Sequence, residues 1–175
     1  MVTFSTPSRT AFQQELAFTF MESPVGKLFI AGNESALWLV GFADGSRRVE
    51  PAAAWHESAQ GVVAETKRQL DAYFRRELRS FTLPLHLCGT EFQLRVWNAL
   101  ASIPYGETLS YRELAQRVGR PTAVRAVGAA NGANPLAIVL PCHRVIGSGG
   151  ALTGYGGGLS AKAALLALER GKLIY

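Results

Sequence analysis

Ser110–Gly132, SYRELAQRVGRPTAVRAVGAANG, is the stretch that decides how the second half of this chain folds. Ser110 and Glu113 have the spacing of a capping box, in which hydroxyl and carboxylate satisfy free N–H groups at a helix start. The helix this opens, over 111–118, ends at Gly119, and Pro121 prevents its continuing. A second helix follows over 122–132 and stops ahead of Asn134-Pro135. Two short helices joined by a glycine-containing turn predict a helix-turn-helix. The second helix is almost bare: Ala123, Ala126, Gly128, Ala129, Ala130 and Gly132 are small, and its glycines cost helix stability. Such thinness suits a helix whose backbone must be approached closely, as by a groove wall. Arg125 is its single long cation. The same small residues would equally permit tight helix packing, with Arg125 on a solvated face.

Upstream, Glu91–Ala101 carries Phe92, Val96, Trp97 and Leu100 on one stripe, an amphipathic helix. Ser80–Cys88, SFTLPLHLC, is extended and interrupted by Pro84, which marks a domain boundary after residue 83. Val62–Leu78 has helical spacing through Val63, Leu70, Tyr73 and Phe74. Before it, FTFME, KLFIAG and ALWLVGF alternate as strands, with SPVG forming a tight hairpin and ADGS closing the last. Residues 1–14 are polar and aperiodic and are expected to be a loose arm. The organisation expected is thus an arm (1–14), a small antiparallel sheet with a helix (15–83), and a helical domain (84–175).

Composition narrows the function. The chain has 175 residues, 48% hydrophobic and 18% charged, enough for a packed core. No apolar run approaches the roughly 18–20 residues of a membrane span, and no signal-like segment opens the chain. A soluble, cytoplasmic protein is the expectation. Residues 1–83 hold nine Lys/Arg and nine Asp/Glu; residues 84–175 hold nine and four, so the whole +5 excess lies in the second half. That placement is expected of a half that meets a polyanion, although solubility charge would look alike. His56, His86 and His143 are scattered and there is no CxxC pair, so no metal site is expected. Cys88 and Cys142 are read as free thiols.

Downstream of the helix pair, the apolar run Ala137–Pro141 delivers Cys142-His143-Arg144. A buried cysteine is ordinarily an inert small hydrophobe, which fits Cys88. Cys142 differs because a histidine and an arginine adjoin it and favour the thiolate, though His143 is expected to need a bridging water to reach the sulfur. A histidine acting as base needs a third group to hold its tautomer. In the C-terminal helix SAKAALLALERG, Glu169 lies at i+4 from Leu165 and i+3 from Leu166, so its carboxylate faces inward, where an unpaired charge is expensive. His143 is one candidate partner and Arg144 another. Between these segments, seven of the eighteen glycines fall at 147–158, offering backbone N–H groups to a flat ligand with Tyr155 as a wall, or forming a mobile linker.

The residues PCHRVIG (141–147), TGYGGG (153–158), LLALE (165–169) and RAVGAANGANP (125–135) resemble those of the O6-alkylguanine-DNA alkyltransferases, the methylated-DNA–protein-cysteine methyltransferases. The likeness is specific over about 88–172 and only general in pattern over 15–83. It implies a ribonuclease-H-like N-terminal domain and a helical C-terminal domain that binds double-stranded DNA through the minor groove, with the damaged guanine flipped out of the stack. It further implies that Arg125 fills the vacated space, with Ala126, Gly128 and Ala129 against the DNA. Tyr111 contacts the flipped base or its phosphate, and Asn134 braces the helix against the active-site turn. The carbonyls of Cys142 and Val145 accept from the guanine amino group, and the Gly156 N–H, beside Tyr155, addresses O6. Many relatives carry serine where Gly156 stands, so only the backbone contact carries over. No cofactor and no metal are implied.

The mechanism this suggests is in-line displacement. Glu169 orients His143, His143 removes the Cys142 proton, and the thiolate attacks the O6 alkyl carbon, with Tyr111 supplying a proton to the departing guanine. One turnover per molecule is expected, because a thioether is not displaced by water. O4-methylthymine is a second expected substrate, and a monomer in solution the expected state, with cooperative assembly on DNA left open. Two rivals remain on the sequence alone: a Cys-His-Glu hydrolase or acyltransferase, and a non-enzymatic module that only marks lesions.

Overall fold

The computed structural model describes residues 2–5, 15–44 and 50–171. Six strands, β1 (Val2–Ser5), β2 (Ala17–Met21), β3 (Leu28–Gly32), β4 (Leu37–Phe42), β5 (His56–Glu57) and β6 (Leu85–Cys88), join in one sheet of order β1-β6-β4-β3-β2-β5. The antiparallel trio expected from the sequence is its centre: β2 pairs with β3 and β3 with β4. Parallel strands flank it, β6 on β4 and β1, and β5 on β2. The expectation of a loose arm therefore needs correction at Val2–Ser5, which is paired with Leu85–Cys88. That partner lies some eighty positions away, and the strand-favouring Val-Thr-Phe-Ser run is only four residues long within an otherwise aperiodic segment. Residues 6–14 of the arm and the end of the ADGS turn lie outside the described residues. Pairing of β6 also carries the sheet past residue 83.

The strand pattern follows from burial. All five residues of β3 are buried, as befits a central strand covered on both faces. Leu28 and Ile30 face the main core, while Phe29 and Ala31 join Leu16 and the half-buried Phe18, Phe20, Trp38 and Trp55 on the opposite face. The SPVG hairpin turns at Gly26, whose φ of 109° suits only glycine without strain.

Helix α1 (Gly61–Phe74) lays Val62, Val63, Leu70 and Tyr73 against the sheet. It ends earlier than its spacing predicts because Arg76 adopts φ 64°, while the N–H groups of Glu77 and Leu78 both turn back to Ala72 O. This is a left-handed helix stop made without glycine. The Arg76 side chain is tied down in turn, donating to Gly171 O at 3.2 Å.

The second half contains α2 (Glu91–Ala101), β7 (Leu109–Ser110), α3 (Tyr111–Arg117), α4 (Val124–Gly132), a 3-10 turn at Cys142–Arg144, β8 (Val145–Ile146) and α5 (Gly158–Glu169). Both halves of the Ser110/Glu113 capping box are present, and Thr90/Gln93 forms another at the start of α2. Gly119 ends α3 at φ 69°. α4 starts two residues later than its spacing suggests, because the Pro121–Ala123 segment is still turning, with Ala123 N donating to Arg120 O. α2 packs on α4, and Trp97 Nε1 donates to Ala130 O at 2.9 Å. One continuous core runs from Leu28 and Ile30 through Trp97, Leu114 and Val127 to Leu165.

Two long-range pairings position the segment around Cys142. Strand β7 lies parallel to β8, which fixes the start of α3 beside the segment that leaves Cys142. Strand β4 reaches the segment entering it: Val40 N donates to Pro135 O and Ala137 N to Val40 O.

Candidate active site

The apolar run before Cys142 is buried as its composition demands, and it forms a tight turn. Ile138 sits at φ 72°, unusual for a β-branched residue. Val139 N donates to Ala137 O and Leu140 N to Leu136 O. Asn134 closes the turn from outside: its amide nitrogen donates to Leu140 O at 2.8 Å, and its amide oxygen accepts from Leu136 N at 3.0 Å. Cys142 emerges at the end of this brace, 7% exposed.

Cys142 lies in the wall of a pocket of about 240 Å³, lined also by Val40 and Phe42 from β4, by Asn134, and by Gly156 and Tyr155, whose ring meets Phe42 edge-on at 5.5 Å. Burial pushes the Cys142 thiol up, outweighing a hydrogen bond from Asn134, the charge of Lys162, and the backbone N–H groups of Cys142 and His143. The expectation that neighbouring His143 and Arg144 favour the thiolate therefore fails in this state. Both side chains are bonded to Glu169, and Lys162 supplies the nearby positive charge instead.

Behind the turn is a buried polar cluster centred on Glu169. Its Oε1 accepts from His143 Nε2 at 2.8 Å, from Tyr73 OH at 2.7 Å and from Arg144 Nη2 at 2.9 Å. Its Oε2 accepts from Arg144 Nε at 2.9 Å and Gly106 N at 3.0 Å. Arg144 also donates to Ile103 O. The two candidate partners of Glu169 are thus both its partners. Burial alone would raise this carboxyl, but the hydrogen bonds and charges of His143 and Arg144 hold it well below the usual carboxylate range. An ionised carboxylate can only accept, so His143 carries its proton on Nε2 and leaves Nδ1 as the acceptor. Nδ1 is buried and without a protein partner. Burial pushes His143 below its ordinary value despite the carboxylate, and the charges of Arg144 and Lys162 add to this. The ring is therefore neutral and able to take a proton.

Lys162 is fully buried, donating to Val145 O at 2.6 Å and Thr153 O at 2.8 Å. It pins the glycine-rich loop to the segment after Cys142. Tyr111, half-buried, stands outside the pocket wall and donates to the same Thr153 O at 3.4 Å. Val145 is buried and does not line the pocket, and its carbonyl is already engaged by Lys162. The Cys142 carbonyl accepts from Val145 N and, at 3.5 Å, from Asn131 Nδ2. On α4, Arg125, Ala126 and Ala129 are exposed along one face, Gly128 backs onto Tyr111, and Val127, Ala130 and Asn131 are buried. The thin stripe is the outward one.

The sequence reading missed Tyr73, Lys162 and the Gly106 N–H, and it offered His143 and Arg144 as alternative partners of Glu169 where both bond it. Lys162 alone left a signal: it stands at i−3 from Leu165 and i−4 from Leu166, on the buried side of α5. Among the described residues, no group of three His, Cys, Asp or Glu side chains is placed to hold a metal, and no helix is long and apolar enough to cross a membrane.

Comparison with known proteins identifies both halves of the chain. Residues 16–87 match the 6-O-methylguanine DNA methyltransferase ribonuclease-like domain, and residues 91–171 match the 6-O-methylguanine DNA methyltransferase DNA-binding domain. A methylated-DNA–protein-cysteine methyltransferase of Mycobacterium leprae is 53% identical over 154 residues, covering 88% of this chain and 92% of that protein. One from Methanosarcina acetivorans is 51% identical, covering 87% and 97%.

The chain belongs to the methylated-DNA–protein-cysteine methyltransferase family.

The crystal structure of Mycobacterium tuberculosis OGT in complex with DNA superposes with a TM-score of 0.82 at 47% identity, covering 90% of this chain and 94% of that one. The family's ribonuclease-like domain corresponds here to the mixed sheet with α1, and its DNA-binding domain to the helical half with the α3–α4 pair. An O6-methylguanine-DNA methyltransferase from Pyrococcus kodakaraensis, 21% identical with a TM-score of 0.57, shares the fold. As a family member the chain is an enzyme of DNA alkyl repair by transfer to cysteine.

Proposed function

We propose that the chain repairs O6-alkylguanine in DNA by moving the alkyl group irreversibly onto Cys142, once per molecule. The observation that carries this reading is a buried cysteine in a pocket wall, backed by a histidine whose free nitrogen is set by Glu169. The exposed thin face of α4 lies against the minor groove through Ala126, Gly128 and Ala129, and Arg125 occupies the space left by a flipped guanine. The base enters between Tyr155, Gly156 and Asn134. His143 Nδ1 takes the thiol proton through a bridging water. The sulfur lone pair then forms the S–C bond as the C–O6 bond breaks, and the electron pair leaves on guanine. Tyr111 gives its hydroxyl proton to that base and regains one from solvent, while the thiol proton stays on His143. Cys142 and Val145 carbonyls accept from the guanine amino group with the lone pairs left to them.

Residues 84–175 carry this chemistry and residues 15–83 support it. O4-methylthymine, with the same C–O–alkyl geometry, is a second substrate. The protein acts as a monomer at the chromosome, in the cytoplasm, without a cofactor. The test is incubation with duplex DNA bearing a labelled O6-methyl group, followed by peptide mass analysis. The expected result is one label per molecule, on Cys142. Label on Cys88, repeated turnover, or no label overturns the proposal.

A further inference from the structure

Glu169 is reached by a donor from the other half of the molecule. Tyr73, the last buried residue of α1, is fully buried and donates its hydroxyl to Glu169 Oε1 at 2.7 Å, ninety-six positions along the chain. The contact is held firmly. Tyr73 packs against Phe81 and Tyr105 with ring centroids 5.5 and 6.0 Å away. Three residues on, Arg76 donates to Gly171 O, just beyond the end of α5. The end of α1 thus grips the end of α5 at two points, and the alkyl-transfer reading gives the Tyr73 hydroxyl no role.

Oε1 is also the oxygen that accepts from His143 Nε2. Each donor to a carboxylate oxygen draws away part of its negative charge, and that charge is what stabilises a proton on the facing imidazole. With Tyr73 and Arg144 both donating to Oε1, the hold of Glu169 on an imidazolium is weakened. The hydroxyl also fixes the side-chain direction of Glu169, and with it the ring plane of His143.

We propose that Tyr73 is a positioning residue for alkyl transfer, through which the N-terminal domain sets the orientation and proton affinity of His143. This role rests on the alkyl-transfer reading of Cys142, His143 and Glu169. Tyr73 touches neither the thiol nor the pocket; it acts through Glu169.

The test compares the full-length protein with Tyr73→Phe and with difluorotyrosine incorporated at position 73. The phenylalanine variant keeps the packing, and Glu169 retains His143, Arg144 and Gly106 as donors. The fluorinated residue keeps the shape and donates more strongly. Two readouts are taken: His143 ring titration by NMR, and the pH profile of single-turnover label transfer to Cys142. In Tyr73→Phe the His143 midpoint should rise by roughly half a unit, and the acid limb of the rate profile should move alkaline with it. The fluorinated protein should move both the opposite way. A role in packing alone produces no such reversal, so unmoved midpoints, or shifts of one sign in both proteins, overturn the assignment. A wild-type Cys142 that takes no label defeats the underlying reading and this role with it. A labelled Cys142 with an indifferent His143 defeats only the role of Tyr73.

Discussion

The two sides of the Cys142–Arg144 turn are built on opposite terms. Behind it, every oxygen of Glu169 and every nitrogen of Arg144 that the turn presents has a named partner, drawn from α1, the loop at Gly106, Ile103 and the turn itself. In front of it, the thiol faces an apolar pocket, Tyr155 OH and His143 Nδ1 have no protein partner, and the neighbouring helix α4 shows mostly backbone and methyl groups. A satisfied network is rigid and costly to disturb, whereas unmatched polar atoms beside a nucleophile are places for a substrate or water to bind. The front can therefore be bare because the back is full. A site that must hold a reacting atom in line with its nucleophile needs both conditions at once.

The comparison breaks most visibly at its centre of charge. Glu169→Ala leaves Arg144, 6% exposed, with no carboxylate. Removing one partner of a buried pair typically costs about 3–5 kcal/mol, a large share of the roughly 5–15 kcal/mol that holds a domain folded. Urea denaturation at neutral pH should show a loss of that size. A loss below about 1 kcal/mol would mean that the cluster behaves like a surface ion pair and frames nothing.

How much of this asymmetry the sequence exposes depends on the distance over which each feature is determined. The capping box at Ser110, the stop at Gly119 and the bare face of α4 are fixed by neighbours within a turn of helix, and they are legible. The inward direction of Glu169 follows from its spacing to Leu165 and Leu166. Its partners do not follow, because Tyr73 and Gly106 reach it across ninety-six and sixty-three positions and nothing in their local sequence points there. The pairing of Val2–Ser5 with Leu85–Cys88 is hidden for the same reason. The source of the charge beside Cys142 is hidden by the same limit. Adjacency in sequence suggests Arg144, yet consecutive residues of a tight turn point apart, and the cation that acts on the thiol comes from α5.

Lys162 sharpens the comparison from the front. It is the one buried cation whose charge falls on Cys142 among the described residues, and its removal leaves burial less opposed. Lys162→Met should raise the thiol further, and a rise of about one unit reduces the thiolate available at neutral pH roughly tenfold. Single-turnover label transfer should slow by that factor at about pH 7, with the deficit shrinking as the pH is raised. A deficit constant across pH would assign Lys162 to loop anchoring alone, through Val145 O and Thr153 O.

The smallest effect tests whether the bareness of α4 serves the ligand or the fold. Gly128 lies mid-helix, and a Cβ there would meet the Tyr111 ring at 3.8 Å, an ordinary contact. Gly128→Ala should therefore stabilise the protein, by roughly 0.5–1 kcal/mol, because the native helix tolerates the methyl and the unfolded chain loses freedom. If packing were the reason for glycine, the same change would destabilise. The measurement that matters is the pair: thermal midpoint and affinity for duplex DNA at one fixed salt concentration. A higher midpoint with weaker binding means that the position is kept bare for a close backbone approach by DNA. A higher midpoint with unchanged binding would count against such an approach at Gly128 and confine its role to the space beside Tyr111.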